Sequence, residues 1–112
     1  MPIEPMPCVP VSGGEIIEVE LVGWTSSTTT AVPASLTSVT LAPANPSRKG
    51  IFFYNSSTAT LKVFFGTPAT LSLFTVSLGA NSSYEFQSPT YNGIITGIWD
   101  GDNGNVLVTE GS

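Results

Sequence analysis

The sequence predicts an all-β fold: an antiparallel β-sandwich of six to eight short strands, jelly-roll or immunoglobulin-like, preceded by an extended proline-rich arm. Three observations lead there. After residue 36, runs of β-branched and aromatic residues recur at intervals of about ten, each closed by Gly, Pro, Asn or Ser, which is the spacing of a sandwich. No stretch shows a convincing helical period. Only 10% of the 112 residues are charged while Ser and Thr number 28, so the polar surface is built from hydroxyls, which suit pleated strands better than helix surfaces. The length suffices for one domain, and 41% hydrophobic residues suffice for its core.

Residues 1–35 read as arm and linker, and residues 36–112 as the sandwich. Four of the nine prolines, Pro2, Pro5, Pro7 and Pro10, fall in the first ten residues, which excludes both helix and central strand and favours polyproline-like extension. Gly13 and Gly14 end that segment. Glu15 to Val22, E-I-I-E-V-E-L-V, is short and rich in β-branched residues, so strand is favoured over helix. Gly23 to Ser35 is Ser/Thr-rich, a linker or an edge segment in which only Trp24 demands burial. Thr37, Val39 and Leu41 alternate with Ser38 and Thr40, which predicts a half-buried strand. A turn-rich connection, 43–50, leads to Ile51–Asn55, apolar enough for burial on both faces, and Asn55-Ser56-Ser57-Thr58 turns into Leu61–Phe65. Phe74–Leu78 and Ser83–Phe86 are two more short strands. The last pair, Ile94–Trp99 and Val106–Glu110, flanks Asp100-Gly101-Asp102-Asn103-Gly104, read as a hairpin loop whose Asn103-Gly104 supplies positive φ.

Composition also restricts chemistry. With no His and one Cys, neither a Ser/His/Asp triad nor a Cys/His pair nor a His-ligated zinc can form within one chain, so no enzyme activity and no cofactor are expected. Eight acidic residues against three basic ones give a net charge of −5, the wrong sign for phosphate backbones, so nucleic acid is not an expected partner. No run approaches the roughly 18–20 apolar residues of a membrane helix, and the first residues lack the basic and apolar regions of a secretory signal, so the chain is expected to stay in the cytosol unless released. Cys8 has no basic neighbour to activate it and reads as a small apolar residue.

Asp100-Gly101-Asp102-Asn103-Gly104-Asn105 begins like a calcium loop. Gly104 stands where the third ligand belongs, however, and Gly111 where the closing Glu would be, so the loop reading is preferred. Asp100, Asp102 and Glu85 could be drawn as a glycosidase pair, but nothing raises one carboxyl pKa above the others. Asn55-Ser56-Ser57 and Asn81-Ser82-Ser83 match the glycosylation pattern and are better read as turns. Tyr91 and Trp24 could stack on sugar rings, although core or subunit contact is preferred.

Three blocks carry a resemblance: Asn45-Pro46-Ser47-Arg48-Lys49-Gly50-Ile51-Phe52-Phe53-Tyr54-Asn55, then Ser83-Tyr84-Glu85-Phe86, then Gly93-Ile94-Ile95-Thr96-Gly97-Ile98-Trp99 followed by Val108-Thr109-Glu110. Over about residues 36–110 the chain resembles a small β-domain found among virion proteins of tailed bacteriophages and cyanophages. The resemblance implies a structural role in the virion and leaves head or tail open.

Physically, Arg48 is expected to hold Glu85 or Glu110 bidentately at the sandwich edge. Gly50 is expected to permit a turn barred to other residues. Trp99 should pack in the core on the face of Ile95 and Gly97, with Gly97 relieving crowding beside it.

The preferred function is a capsid decoration or cement protein on the virion surface, clamping neighbouring major capsid protein subunits. A carbohydrate-binding tail fibre or baseplate module is the alternative, and an unrelated cytosolic β-domain a third. The arm is expected to attach to the partner, with Ile3, Met6, Val9 and Val11 as apolar anchors and Ile16, Val19 and Leu21 adding a strand to a neighbouring sheet edge. Residues 51–78 hold more apolar side chains than the inner faces can hide, Phe52-Phe53 and Phe64-Phe65 among them, so self-association is expected, as a homotrimer.

Overall fold

The computed structural model describes residues 24–86 and 90–112. The arm residues Ile3, Met6, Val9, Val11, Ile16, Val19 and Leu21, together with Cys8 and the 15–22 strand, lie outside the described residues. Eight strands occur among those described: β1 Ser27–Pro33, β2 Val39–Ala42, β3 Gly50–Asn55, β4 Leu61–Phe64, β5 Val76–Leu78, β6 Ser83–Phe86, β7 Ile95–Trp99 and β8 Asn105–Gly111. They form two antiparallel sheets with strand orders β1-β8-β3-β6 (sheet A) and β2-β7-β4-β5 (sheet B). The chain changes sheet at every connection except β4 to β5. That strand order is the jelly roll, one of the two expected sandwich types.

Alternation along the strands builds the core. Ile51, Phe53 and Asn55 of β3 face inward beside Val106 and Val108 of β8, and Leu61, Val63, Ile95 and Trp99 answer from sheet B, all at 3% exposure or less. Trp99 is therefore a core residue, as expected. Gly97 does relieve crowding, but from other neighbours: a methyl there would lie 2.8 Å from Leu41 Cδ1 and 3.0 Å from Leu61 Cδ1.

The structure corrects four sequence expectations. Of the two readings of the Ser/Thr-rich segment, edge and not linker holds: Ser27–Pro33 pairs with β8 over its full length as the edge strand of sheet A, so the sandwich begins before residue 36. Loop 100–104 is not a hairpin, because β7 and β8 belong to different sheets. There Gly104 has φ +106° and rests on the Ser57 backbone, and Asp100 Oδ1 accepts from Thr60 N at 2.9 Å. Gly50 does not serve a turn. It lies opposite Gly111 across the β3–β8 ladder, and the Trp24 indole covers both on the outer face of sheet A, where a methyl on either glycine would overlap the ring. Finally, Phe74 belongs to the β4–β5 loop, with β5 confined to Val76–Leu78.

Candidate interaction surface

Two polar hubs brace the sandwich. At one end Arg48, 4% exposed, makes four hydrogen bonds. Its Nε donates to Glu110 Oε2 at 2.6 Å, Nη1 to the carbonyls of Tyr91 at 2.7 Å and Gly93 at 3.1 Å, and Nη2 to the Pro43 carbonyl at 2.7 Å. The expected Glu110 partner is present, but the pairing is single, because the rest of the guanidinium fork is spent on carbonyls of two loops. Asn45 Nδ2 adds a second donor to the same carboxylate oxygen at 3.0 Å. The other hub is Asn55, fully buried. Its Nδ2 donates to the carbonyls of Ala59, Leu78 and Gly79, and its Oδ1 accepts from Ser57 Oγ at 2.6 Å and Trp99 Nε1 at 3.4 Å. Every polar atom of this side chain faces a protein partner.

The two aromatics considered for sugar stacking are also engaged. Tyr91 stacks on Phe65 with centroids 5.0 Å apart and planes 11° apart, and Phe65 meets Phe86 edge-on, also at 5.0 Å. Trp24 lies on its glycine bed. The apolar excess in residues 51–78 is thus partly absorbed within the fold.

The remainder is concentrated on one loop. Residues 65–75, between β4 and β5, lie against the outer face of sheet B. Thr96 Oγ1 donates to the Gly66 carbonyl at 2.7 Å, and Ala69 N donates to Ser38 Oγ at 3.0 Å. Ala69 of the loop and Thr96 and Ile98 of β7 are buried. Gly66, at φ +150°, opens the loop with its α-carbon against the Phe64 ring. Thr70 then forms a compact turn: its Oγ1 accepts from Leu73 N at 2.8 Å, and its own N donates to the Leu73 carbonyl at 3.2 Å. A side chain inside so tight a turn has nowhere to go but outward. Leu71 is 51% exposed, Leu73 58% and Phe74 36%, and Leu36, two residues from the Ser38 that anchors the loop, is 58% exposed. Lys62 Nζ sits 4.4 Å from the Phe74 ring centroid. No ionisable residue occurs between Lys62 and Tyr84 in the sequence. The loop is therefore an uncharged plate with leucines facing solvent, an arrangement typical of surfaces that meet a partner.

Of the residues singled out from sequence, Arg48 and Trp99 occupy opposite regions of the fold and do not converge on one site. Phe74, expected in a strand from sequence, lies instead in the loop, where it is exposed together with Leu71 and Leu73. Leu36 was missed, because a single Leu between Ser35 and Thr37 carries no pattern. Comparison with protein-family models, curated proteins and solved structures returns no match for this chain.

Proposed function

We propose that this chain is a non-enzymatic structural protein of a tailed-phage virion: a decoration (cement) protein on the capsid surface that clamps neighbouring major capsid protein subunits and associates with itself as a homotrimer. The observation carrying this reading is the set of exposed apolar side chains Leu71, Leu73 and Phe74 on a loop that has no charged residue of its own and is tied to sheet B. Large apolar side chains held outward by a braced turn fit a permanent partner better than a diffusing small molecule. The jelly-roll order adds weight, since that architecture recurs in viral capsid domains, and the sequence blocks that resemble virion β-domains point the same way. In this reading residues 1–22 supply further contacts through Ile3, Met6, Val9 and Val11.

A second reading has one observation in its favour. The outer face of sheet A presents Phe52 and Tyr54 beside Ser83, Thr109 and Thr29, an aromatic and hydroxyl surface suited to sugar rings, and jelly rolls also serve as lectins. This corresponds to a tail fibre or baseplate module binding host carbohydrate.

Paired substitution of Leu71 and Leu73 by Ser separates the two. Both are exposed, so the melting temperature is expected to stay within a few degrees of the original, as surface changes usually cost under about 0.5 kcal/mol. Binding to assembled heads, and the rise in head bursting temperature that accompanies it, are expected to fall at least tenfold. Unchanged head binding, or equal binding to unassembled capsid protein, overturns the clamp. Retention of a glycan by the wild-type chain, lost on Phe52→Ser, favours the second reading.

A further inference from the structure

We propose that the edge of β1, open among the described residues, is an acceptor for an extended strand, and that its occupant is the 15–22 segment of a second copy of this chain. The inference rests on the self-association part of the reading above and not on the virion part. Four strands lie at sheet edges, and three of them are blunted: β5 has three residues, β2 has four and carries a register shift between Thr40 and Ala42, and β6 has four and includes Glu85. Short length, bulges and charge are the usual defences of an edge. β1 has none of them. Its seven residues, Ser-Thr-Thr-Thr-Ala-Val-Pro, are uncharged and in unbroken register with β8, and proline occurs only at the last position.

The hydrogen-bond phase shows what that edge offers. Ser26 and Ser112 exchange both backbone bonds, Ser26 N to Ser112 O at 3.1 Å and the reverse at 3.0 Å. By the alternation of an antiparallel ladder, Thr28, Thr30 and Val32 also bond to β8, so Ser27, Thr29 and Ala31 turn their N–H and C=O groups away from it, toward the open edge. The side chains are open too. Thr28 and Thr30 are on the face turned toward sheet B, yet both are exposed. A strand added here would continue the ladder and cover that face.

The chain contains a segment with the required pattern. In Glu15 to Val22, residues Ile17, Val19 and Leu21 alternate with Glu18 and Glu20, so an added strand in one register places three apolar side chains toward sheet B and both carboxylates toward solvent. Trp24 decides between the chain's own segment and a neighbour's. Its indole lies on Gly111 and Gly50, in the second and third strands of sheet A, which ties the residue before β1 to the side away from the open edge. Thr25 and Ser26, the residues between Trp24 and β1, both donate to the Ser112 carbonyl and cannot also reverse the chain. The strand therefore comes from a second copy. Donor and acceptor are different surfaces, so the contact is heterologous, and the homotrimer proposed above is its three-copy closed ring.

Hydrogen–deuterium exchange on the full chain tests this. The amides of Ser27, Thr29 and Ala31 are expected to slow at least roughly tenfold as concentration rises from about 5 to about 500 µM, in step with the mass from light scattering. Val19→Pro and Thr29→Pro, which remove an N–H from donor and acceptor respectively, should each abolish that protection and return a monomer mass, while the core amides of Phe53 and Val108 stay protected. Fast exchange of the three β1 amides at every concentration overturns the proposal, as does protection that does not change with concentration, which would mean that the chain's own segment fills the edge. Loss of trimer with intact head binding separates failure of the virion reading from failure of this one.

Discussion

Replacing Arg48 with Met is expected to destabilise the sandwich by about 3 kcal/mol or more, at about 1–3 kcal/mol for each of three carbonyls left without its donor. Met approximates the aliphatic stem but leaves Glu110 without its closest partner, and it strands the carbonyls of Pro43, Tyr91 and Gly93. Each kcal/mol lowers the melting temperature by about 4–8 °C in a domain of this size, so the transition should fall by well over ten degrees. Arg48→Lys should rescue little, because one ammonium cannot span three carbonyls and a carboxylate. Thermal and urea unfolding followed by circular dichroism check both variants. A loss below about 1 kcal/mol in Arg48→Met, or full rescue by Lys, would show that the loops hold without the guanidinium.

Asn55→Leu should be comparably severe. The side chain is of similar size, so little cavity forms, and the cost comes from the groups left behind. The Trp99 N–H and the Leu78 carbonyl lose this partner in the core, whereas the Ser57 hydroxyl and the Ala59 carbonyl keep each other and the Gly79 carbonyl keeps Ser82 N. With about 1–3 kcal/mol for each of these two buried groups, the expected loss is about 2–6 kcal/mol. Asn55→Asp should not restore stability, since a carboxylate would then face the carbonyls of Leu78 and Gly79. The same unfolding measurements apply, and near-wild-type stability of Asn55→Leu would refute the hub.

These two positions show what the sequence discloses and what it hides. Strands β3, β4, β7 and β8 were legible because apolar residues alternate or run together between turn residues, and Trp99 could hardly be other than core. Arg48 was legible through scarcity: with three basic residues in the chain, an Arg next to a strand and few carboxylates had a short list of partners. Asn55 was not, since Asn followed by two Ser reads as a turn, and only the structure shows three carbonyls converging on its amide. Strand β1 was hidden by composition. Both its faces and one edge are exposed, so no apolar period marks it, and the remaining signal is the β-propensity of consecutive Thr residues. The 100–104 loop misled for a different reason: a short polar loop tells that the chain turns, but not whether the next strand joins the same sheet. Gly50 was singled out correctly for its lack of a side chain, but the cause lies in Trp24, twenty-six residues away, which local sequence cannot reveal.

The central claim is that this jelly roll decorates a capsid shell through the Leu71–Phe74 plate, and its most direct test is the copy number of the chain in purified particles, measured by quantitative mass spectrometry against the major capsid protein. A surface protein repeated with the shell's symmetry is expected in multiples of three, on the order of hundreds of copies per head. A handful of copies, released with tails and not with heads, would contradict that account and favour the carbohydrate-binding module; absence from the particle would contradict both.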